Sequence, residues 1–389
     1  MINASYSEDF REIGPYEGED FDQAVARLRE YPQLINNFTD ILSRHNRIVN
    51  KWKSFHSKNL LKSELTTVKN YDEFQKRITS DIFLNLIESS SIDEFTFDGL
   101  EEVGTDKPHI FISNHRDIVL DTALLDLALY RTSKGTLCQM VIGDNLLVNQ
   151  FATDMFKVNG AITVKRTANS AAELKEETLR LSRYLMYALL KENTSVWIAQ
   201  KSGRSKDGLD ITSPAILKMI YLSAREQKIS FSDFLREVSI VPVAISYQYD
   251  PCDVSKGQSE IRKLKAEGVY NVYKKKKYQD ILELIRGLRL NKGNVHIQVG
   301  QSLDSSITNP VDAAREIDRQ IHLNYKLWDT NYYCWDRVHN TSVFADKYKD
   351  MNTKYFTKKY RKFNREVVEY VYKEYANPVQ SYLDAKNES

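Results

Sequence analysis

Between residues 95 and 300 short apolar runs of β type alternate with helical periodicity, and this alternation constrains the fold more than any other feature of the chain. The runs are HIFIS (109–113), TLCQMVIG (136–143), AITVKR (161–166), SVWIAQ (195–200), SIVPVAISY (239–247) and NVHIQVG (294–300). Helical patterns fill the gaps, most clearly at 171–192 and 213–224. Strands separated by helix-length segments need crossover connections, and crossovers build a mostly parallel sheet flanked by helices. The expected fold is therefore α/β, with helical segments at both ends. The parts are a helical N-terminal segment (1–90), an α/β domain (91–308) and a helical, basic and aromatic C-terminal segment (309–389).

The flanks support this division. LINNFTDILSRHNRIV places Leu34, Ile35, Phe38, Ile41 and Leu42 on one helical face, and Ile48, Val49, Trp52 and Phe55 continue it. With 14 glycines and 8 prolines in 389 residues, sharp turns are few and long helices are expected. A net charge of +2 gives no reason to expect nucleic acid as a partner. Cys138, Cys252 and Cys334 are far apart, without a Cys-x-x-Cys, which suggests neither a zinc site nor a disulfide framework and fits a cytoplasmic setting. MINASYSEDFREIG lacks a basic-then-apolar signal pattern. No apolar run reaches the roughly 20 residues that span a bilayer, so any membrane contact is expected to be peripheral.

In an open parallel sheet, ligands bind beyond the carboxyl ends of the strands. Four expected strand ends carry polar clusters: Asn114-His115-Arg116-Asp117, Gly143-Asp144-Asn145, Lys165-Arg166 and Lys201-Ser202-Gly203-Arg204-Ser205. Parallel strands would gather them on one edge. Of seven histidines, His115 stands out because it occupies a strand-to-helix turn with two carboxylates within six residues. A neutral imidazole accepts a proton near pH 7 and needs a partner to set its tautomer. With a helix starting near Ile118, Asp117 is placed as its cap. Asp121 then shares a stripe with Ile118, Leu125 and Ala128, where it either pairs with His115 or points to solvent at the helix edge. The kinase reading of His-Arg-Asp fails, because Thr122 stands where a metal-binding Asn belongs and no glycine-rich loop or Asp-Phe-Gly accompanies it. In QKSGRSKDG (200–208), glycine permits close approach to a ligand and Arg204, Lys201, Ser205 and Lys206 offer phosphate donors.

Taken in order, these blocks resemble the glycerophospholipid acyltransferases, the family with a His-x-x-x-x-Asp motif. FISNHRDIVLDTALL resembles its first block, GAITVKR (160–166) its second, WIAQKSGRSKDG (197–208) its third and IVPVAIS (240–246) its fourth. IGDNLL (142–147) sits where many members carry a similar segment. The resemblance implies a glycerol-3-phosphate acyltransferase-like domain acting in phospholipid synthesis. It implies His115 as general base, oriented by Asp121 or Asp117. Arg166 and Arg204 would bind the acceptor phosphate, with Lys165, Lys201 and Ser205 as helpers. The co-substrate would be an acyl-CoA or acyl carrier protein thioester and the acceptor glycerol 3-phosphate or lysophosphatidate, with no metal or other cofactor. A different acceptor, such as an amino lipid or a glycan, and a non-catalytic lipid-binding role are the competing readings. Two departures stand out. The family's spacing puts Asp at Leu120, one residue before Asp121, and Lys201 or Ser202 replaces the third block's Glu.

Two basic and aromatic stretches remain. One is YKKKKY (273–278); the other runs from Lys347 to Arg365, with eight Lys or Arg against one Asp and Tyr348, Tyr355, Phe356, Tyr360 and Phe363 between them. Such stretches suit an anionic membrane surface or an acidic acyl carrier protein. The expected location is cytoplasmic, at the membrane periphery.

Overall fold

The computed structural model describes residues 1–33, 36, 39–40, 49–104, 107–133, 137–166, 170–267 and 279–388. The expected stripe Leu34, Ile35, Phe38, Ile41, Leu42 and Ile48 and the YKKKKY run lie outside the described residues.

Seven strands form one sheet: β1 (Glu94–Asp98), β2 (Ile110–Ser113), β3 (Gln139–Gly143), β4 (Ala161–Val164), β5 (Val196–Ala199), β6 (Ile240–Tyr247) and β7 (Asn294–Val299). Their order is β1-β7-β6-β2-β5-β3-β4. Strands β2 to β6 are mutually parallel, while β7 runs antiparallel to β6 and parallel to β1. The sheet is thus mostly parallel and flanked by helices, as the alternation implied. Strand β1 was not among the expected runs. Its Glu-Phe-Thr-Phe-Asp alternation spans five residues, ends in carboxylates at both sides and is completed only by pairing with β7.

Because strand side chains alternate between faces, each central strand feeds two cores. Phe111, Trp197, Val241 and Val243 belong to one, Ile110, Ile112, Val196, Ile198 and Ile240 to the other. The first core is closed by the helix Gly18–Arg29 through Phe21 and Leu28, and by the helical stretch 71–91 through Ile78 and Phe83. The N-terminal helices therefore pack on the sheet itself, although Phe55, read with the N-terminal stripe, is exposed. The second core is closed by the helices Ala171–Leu190 and Pro214–Glu226 and by Ala313, Ile317 and Ile321 of the helix Pro310–Asn324. Each buried Leu, Ile or Phe among these contributes roughly 1.5–3 kcal/mol.

A third cluster joins the helices Asp329–His339, Thr353–Tyr360 and Arg365–Asn387. Here the reading of the Lys347–Arg365 stretch needs correction. Phe356 and Tyr360 are each 1% exposed and belong to this core, and Phe363 packs against it. Residues 356 and 360 are one helical turn apart, so both point inward, while Lys358 between them is exposed. The Tyr360 hydroxyl donates to Asp253 (2.7 Å), as does Lys359 Nζ (2.5 Å). Of the aromatics in the helix Thr353–Tyr360, Tyr355 alone is exposed. Among the described residues no helix is long and apolar enough to cross a membrane.

Candidate active site

Strand β2 ends at Ser113, and Asn114 continues the ladder with its side chain. Its Oδ1 accepts from Ile245 N (2.7 Å) and its Nδ2 donates to Ile245 O (2.9 Å). This fixes the residue that follows, His115, at the carboxyl edge of the sheet. His115 Nδ1 lies 2.9 Å from Asp121 Oδ2. Asp121 is fully buried, so it is not a solvent-facing residue at the helix edge. Oδ2 also accepts the backbone N–H groups of Arg116 (2.7 Å) and Asp117 (3.0 Å), and Oδ1 accepts the Tyr247 hydroxyl (2.8 Å). Four donors offset the cost of burying the carboxylate. Two of them are backbone groups of the turn, so the extra residue between His115 and Asp121 is wrapped around the carboxylate it precedes. With Asp121 accepting at Nδ1, the tautomer assigned from the network carries its proton there and leaves Nε2 as the accepting nitrogen. The indole of Trp197 packs edge-on against the imidazole, with ring centroids 5.5 Å apart, and is itself held by Nε1 donating to Ser113 Oγ (2.9 Å).

Asp117 has a different task. Its Oδ1 accepts from Val119 N (3.1 Å) and Leu120 N (3.0 Å), capping the turn that opens the helix Leu120–Ser133. The helix starts two residues later than its periodicity suggested, because Asp121 and Asp117 hold 116–119 as a turn. Burial, and after it the charge of Asp121, push the Asp117 carboxyl up from its usual range, against the backbone N–H of Leu120. Arg116 is buried too and turns away from His115. It pairs with Asp210 and lies 5.4 Å from the Tyr325 ring centroid.

The strand ends do converge. His115, Gly143, Asn145, Arg166, Lys201, Arg204 and Lys206 line one cavity of about 390 Å³, with Asp280 from the helix Gln279–Arg289. Arg166 and Lys201 have no carboxylate partner among the described residues, whereas Lys206 pairs with Glu260 (2.5 Å). Arg204 is nearly buried, and its Nη2 pairs with Glu283 while its Nη1 has no partner among the described residues. Gly143 gives Arg166 its place: a Cβ there would lie 2.7 Å from the Arg166 Cζ and 2.5 Å from Asn145 Oδ1.

Two expected helpers are not brought in. Lys165 does not line the cavity and is tied to Glu173 (2.8 Å) and Glu177 (3.4 Å). Successive residues leaving a strand point to opposite faces, so Lys165 and Arg166 diverge. Ser205 is buried outside the cavity. Its N–H donates to the His115 carbonyl (2.6 Å) and its hydroxyl faces Asp207 (3.3 Å).

A second cavity of about 380 Å³ is lined almost wholly by apolar side chains, among them Phe83, Val119, Ala123, Met155, Phe156 and Leu284. It shares three chain segments with the first: Ile118, Leu146 and Asp280 line one cavity, and Val119, Val148 and Ile281 the other.

Sequence reading placed Gly143 at the edge but gave no role to Tyr247 and missed the helix Gln279–Arg289. The signal for Tyr247 is a lone hydroxyl-bearing ring closing a strand that is apolar up to Ser246. For the helix there is only amphipathic periodicity, which does not tell a wall of the site from any other packed helix.

The chain was compared with known proteins on this background. No curated protein matches it. Among solved structures it is similar to the crystal structure of the 1-acyl-sn-glycerophosphate (LPA) acyltransferase PlsC from Thermotoga maritima, with 13% identity and a TM-score of 0.36 over 77% of this chain and 91% of that one. A family model described as Acyltransferase matches residues 94–246.

Proposed function

We propose, with residues 94–246 an acyltransferase-family segment, that the chain moves a fatty acyl group from an acyl-CoA or acyl carrier protein thioester to a hydroxyl of glycerol 3-phosphate or a lysophosphatidate. The observation that carries this reading is the open Nε2 of a carboxylate-paired His115 in a cavity shared with Arg166, Lys201 and Arg204. His115 Nε2 takes the proton of the acceptor hydroxyl as its oxygen attacks the thioester carbonyl carbon. The C–O bond forms, the tetrahedral intermediate collapses, and the C–S bond breaks. The leaving thiolate takes the proton back from Nε2, giving an ester and a free thiol. Asp121 holds the imidazole in the required tautomer and stabilises the imidazolium, the part an aspartate plays in the Ser-His-Asp arrangement.

Arg166 and Lys201, cations at the strand ends without a carboxylate partner among the described residues, suit the two charges of a phosphate monoester. The adjoining apolar cavity suits the acyl chain, at about 0.8 kcal/mol per methylene removed from water. A lipid acceptor or product has to pass to a bilayer, and the outward lysines of 347–365 support a peripheral contact with anionic lipid. The reading is tested with radiolabelled acyl thioester and a panel of acceptors. His115→Ala should abolish transfer, and glycerol should be a far poorer acceptor than glycerol 3-phosphate. Unchanged transfer by the variant removes His115 as base. Equal use of phosphate-free acceptors favours the amino-lipid or glycan reading.

A further inference from the structure

The third basic block has no carboxylate beside Lys201 and Ser202, where the family it resembles carries a glutamate. We infer that Glu283, about eighty residues further along the chain, is a positioning residue that supplies this carboxylate from the helix Gln279–Arg289 and holds Arg204 toward the acceptor phosphate. The inference rests on the phosphate-acceptor reading above.

Three observations carry it. First, the pair is built rather than incidental. The side chains of Arg204 and Glu283 are 7% and 5% exposed and meet through Nη2 and Oε2. Glu283 Oε1 is oriented in turn by Gln279 Nε2, one helical turn back (2.9 Å).

Second, the helix is seated on the reacting loop. Gly287, one turn beyond Glu283 on the same face, lies against Asp117; a Cβ there would be 2.9 Å from the Asp117 Cγ. Asp280 accepts from Asn145 Nδ2 (3.0 Å), at the wall of the cavity formed by the β3 end. Positions 280, 283 and 287 are three and four apart, so one stripe of the helix touches the first block, the β3 end and the third block together.

Third, Arg204 has capacity left over. Its Nη1 is buried without a partner among the described residues, on a side chain that lines the cavity with His115. A guanidinium is a planar fork of five donors and can serve two anions from different edges. With one edge on Glu283, Nη1 is left over on a side chain that lines the cavity, and an oxyanion reaching it would satisfy that donor.

Two effects oppose each other in this arrangement. The charge of Glu283 repels an arriving phosphate, while its bond removes the rotamer freedom of a long side chain. The buried Nη1 favours the second: a guanidinium held only for neutralisation would not leave a buried donor without a partner among the described residues.

Binding of glycerol 3-phosphate to the full chain is measured by calorimetry for the native protein, E283Q and E283D. The side-chain N–H resonances of Arg204, identified by their loss in R204K, are followed alongside. E283Q keeps the shape and the Gln279 contact but not the charge. It should bind about 10- to 100-fold more weakly, as is typical when an orienting partner is lost, and the Arg204 resonances should broaden. E283D should recover much of that loss. Thermal unfolding checks that the variants are folded. Equal or tighter binding by E283Q overturns the inference. If the native chain binds no glycerol 3-phosphate, the acceptor reading itself fails. The Arg204 resonances then decide this point alone: unchanged in E283Q, they overturn it; broadened, they uphold Glu283 as the residue that holds Arg204.

Discussion

Gly143→Ala separates the acceptor site from the fold more cleanly than removal of a charged residue. Residue 143 has φ −79° and ψ 144°, an extended conformation that alanine adopts without strain. The added Cβ instead meets the end of Arg166, 2.7 Å from Cζ, and Asn145 Oδ1 at 2.5 Å. Carbon contacts are comfortable near 3.5–4.0 Å, so the guanidinium must move by about 1 Å. Arg166 is a flexible side chain at the cavity wall and can yield without disturbing the core. A charge-assisted hydrogen bond contributes about 1.5–3 kcal/mol. At about 1.4 kcal/mol per factor of ten, its loss raises the acceptor KM by roughly 10- to 150-fold. Replacing glycine at a compatible backbone position with alanine adds about 0.4–1 kcal/mol of stability. The variant should therefore melt no lower than the native chain while losing affinity for the acceptor. Steady-state kinetics with glycerol 3-phosphate and thioester varied separately should show the change in the acceptor KM alone. In an Arg166→Ala background, Gly143→Ala should have a much smaller further effect on the acceptor KM, because of the two groups it meets only Asn145 is left. An unchanged acceptor KM, or a full effect in that background, refutes the assignment of Arg166.

Three further expectations follow from the same geometry. Tyr247→Phe removes one of four donors to buried Asp121 and should cost about 1.5–3 kcal/mol in unfolding free energy, with a drop in kcat at unchanged acceptor KM; a fall in KM affinity without loss of kcat would count against it. Ala123→Phe adds bulk to the wall of the apolar cavity and should shift donor preference toward shorter acyl chains, by up to about 0.8 kcal/mol per excluded methylene; an unaltered chain-length profile would place the acyl chain elsewhere. Burial lowers the Lys292 ammonium to about 7, and its Nζ has two acceptors, Ser91 Oγ (2.8 Å) and Leu288 O (2.9 Å), the number a neutral amine can serve. Between that value and the unfolded one near 10.4, the unfolded chain binds more protons, so this group's contribution to stability rises with pH. The melting temperature of the native chain should therefore gain on that of Lys292→Met as pH goes from 7 to 9, and a constant difference would show that Lys292 does not titrate in this window.

Most of the sheet was legible because its signals are local. A run such as HIFIS or SIVPVAISY is buried on both faces and carries no competing pattern, and the polar residues after it mark where burial stops. The helix containing Asp121 was legible in phase, since Leu125 and Ala128 share its buried side. Strand β1 was not, because a five-residue edge strand is defined by its neighbour β7 rather than by its own hydrophobicity. The aromatics of 347–365 misled for a related reason: composition records that Phe356 and Tyr360 lie among lysines, but only a packed partner decides which side of the helix is inside.

The sequence by itself determined that strand ends would share an edge, and that His115 would stand there with basic residues from other strands. Parallel topology turns distant positions into neighbours, and that topology is written in the alternation of short apolar runs with helices. Only the tertiary structure decided which groups face the imidazole. Asp121 pairs with His115 and Asp117 caps the helix because the turn between them folds around one carboxylate. Arg166 enters the cavity while Lys165 leaves it, and Glu283 arrives on a helix that nothing near it in sequence connects to the site. These outcomes depend on side-chain direction and on contacts between residues a hundred positions apart, which burial and hydrogen-bond satisfaction settle only once the chain is packed.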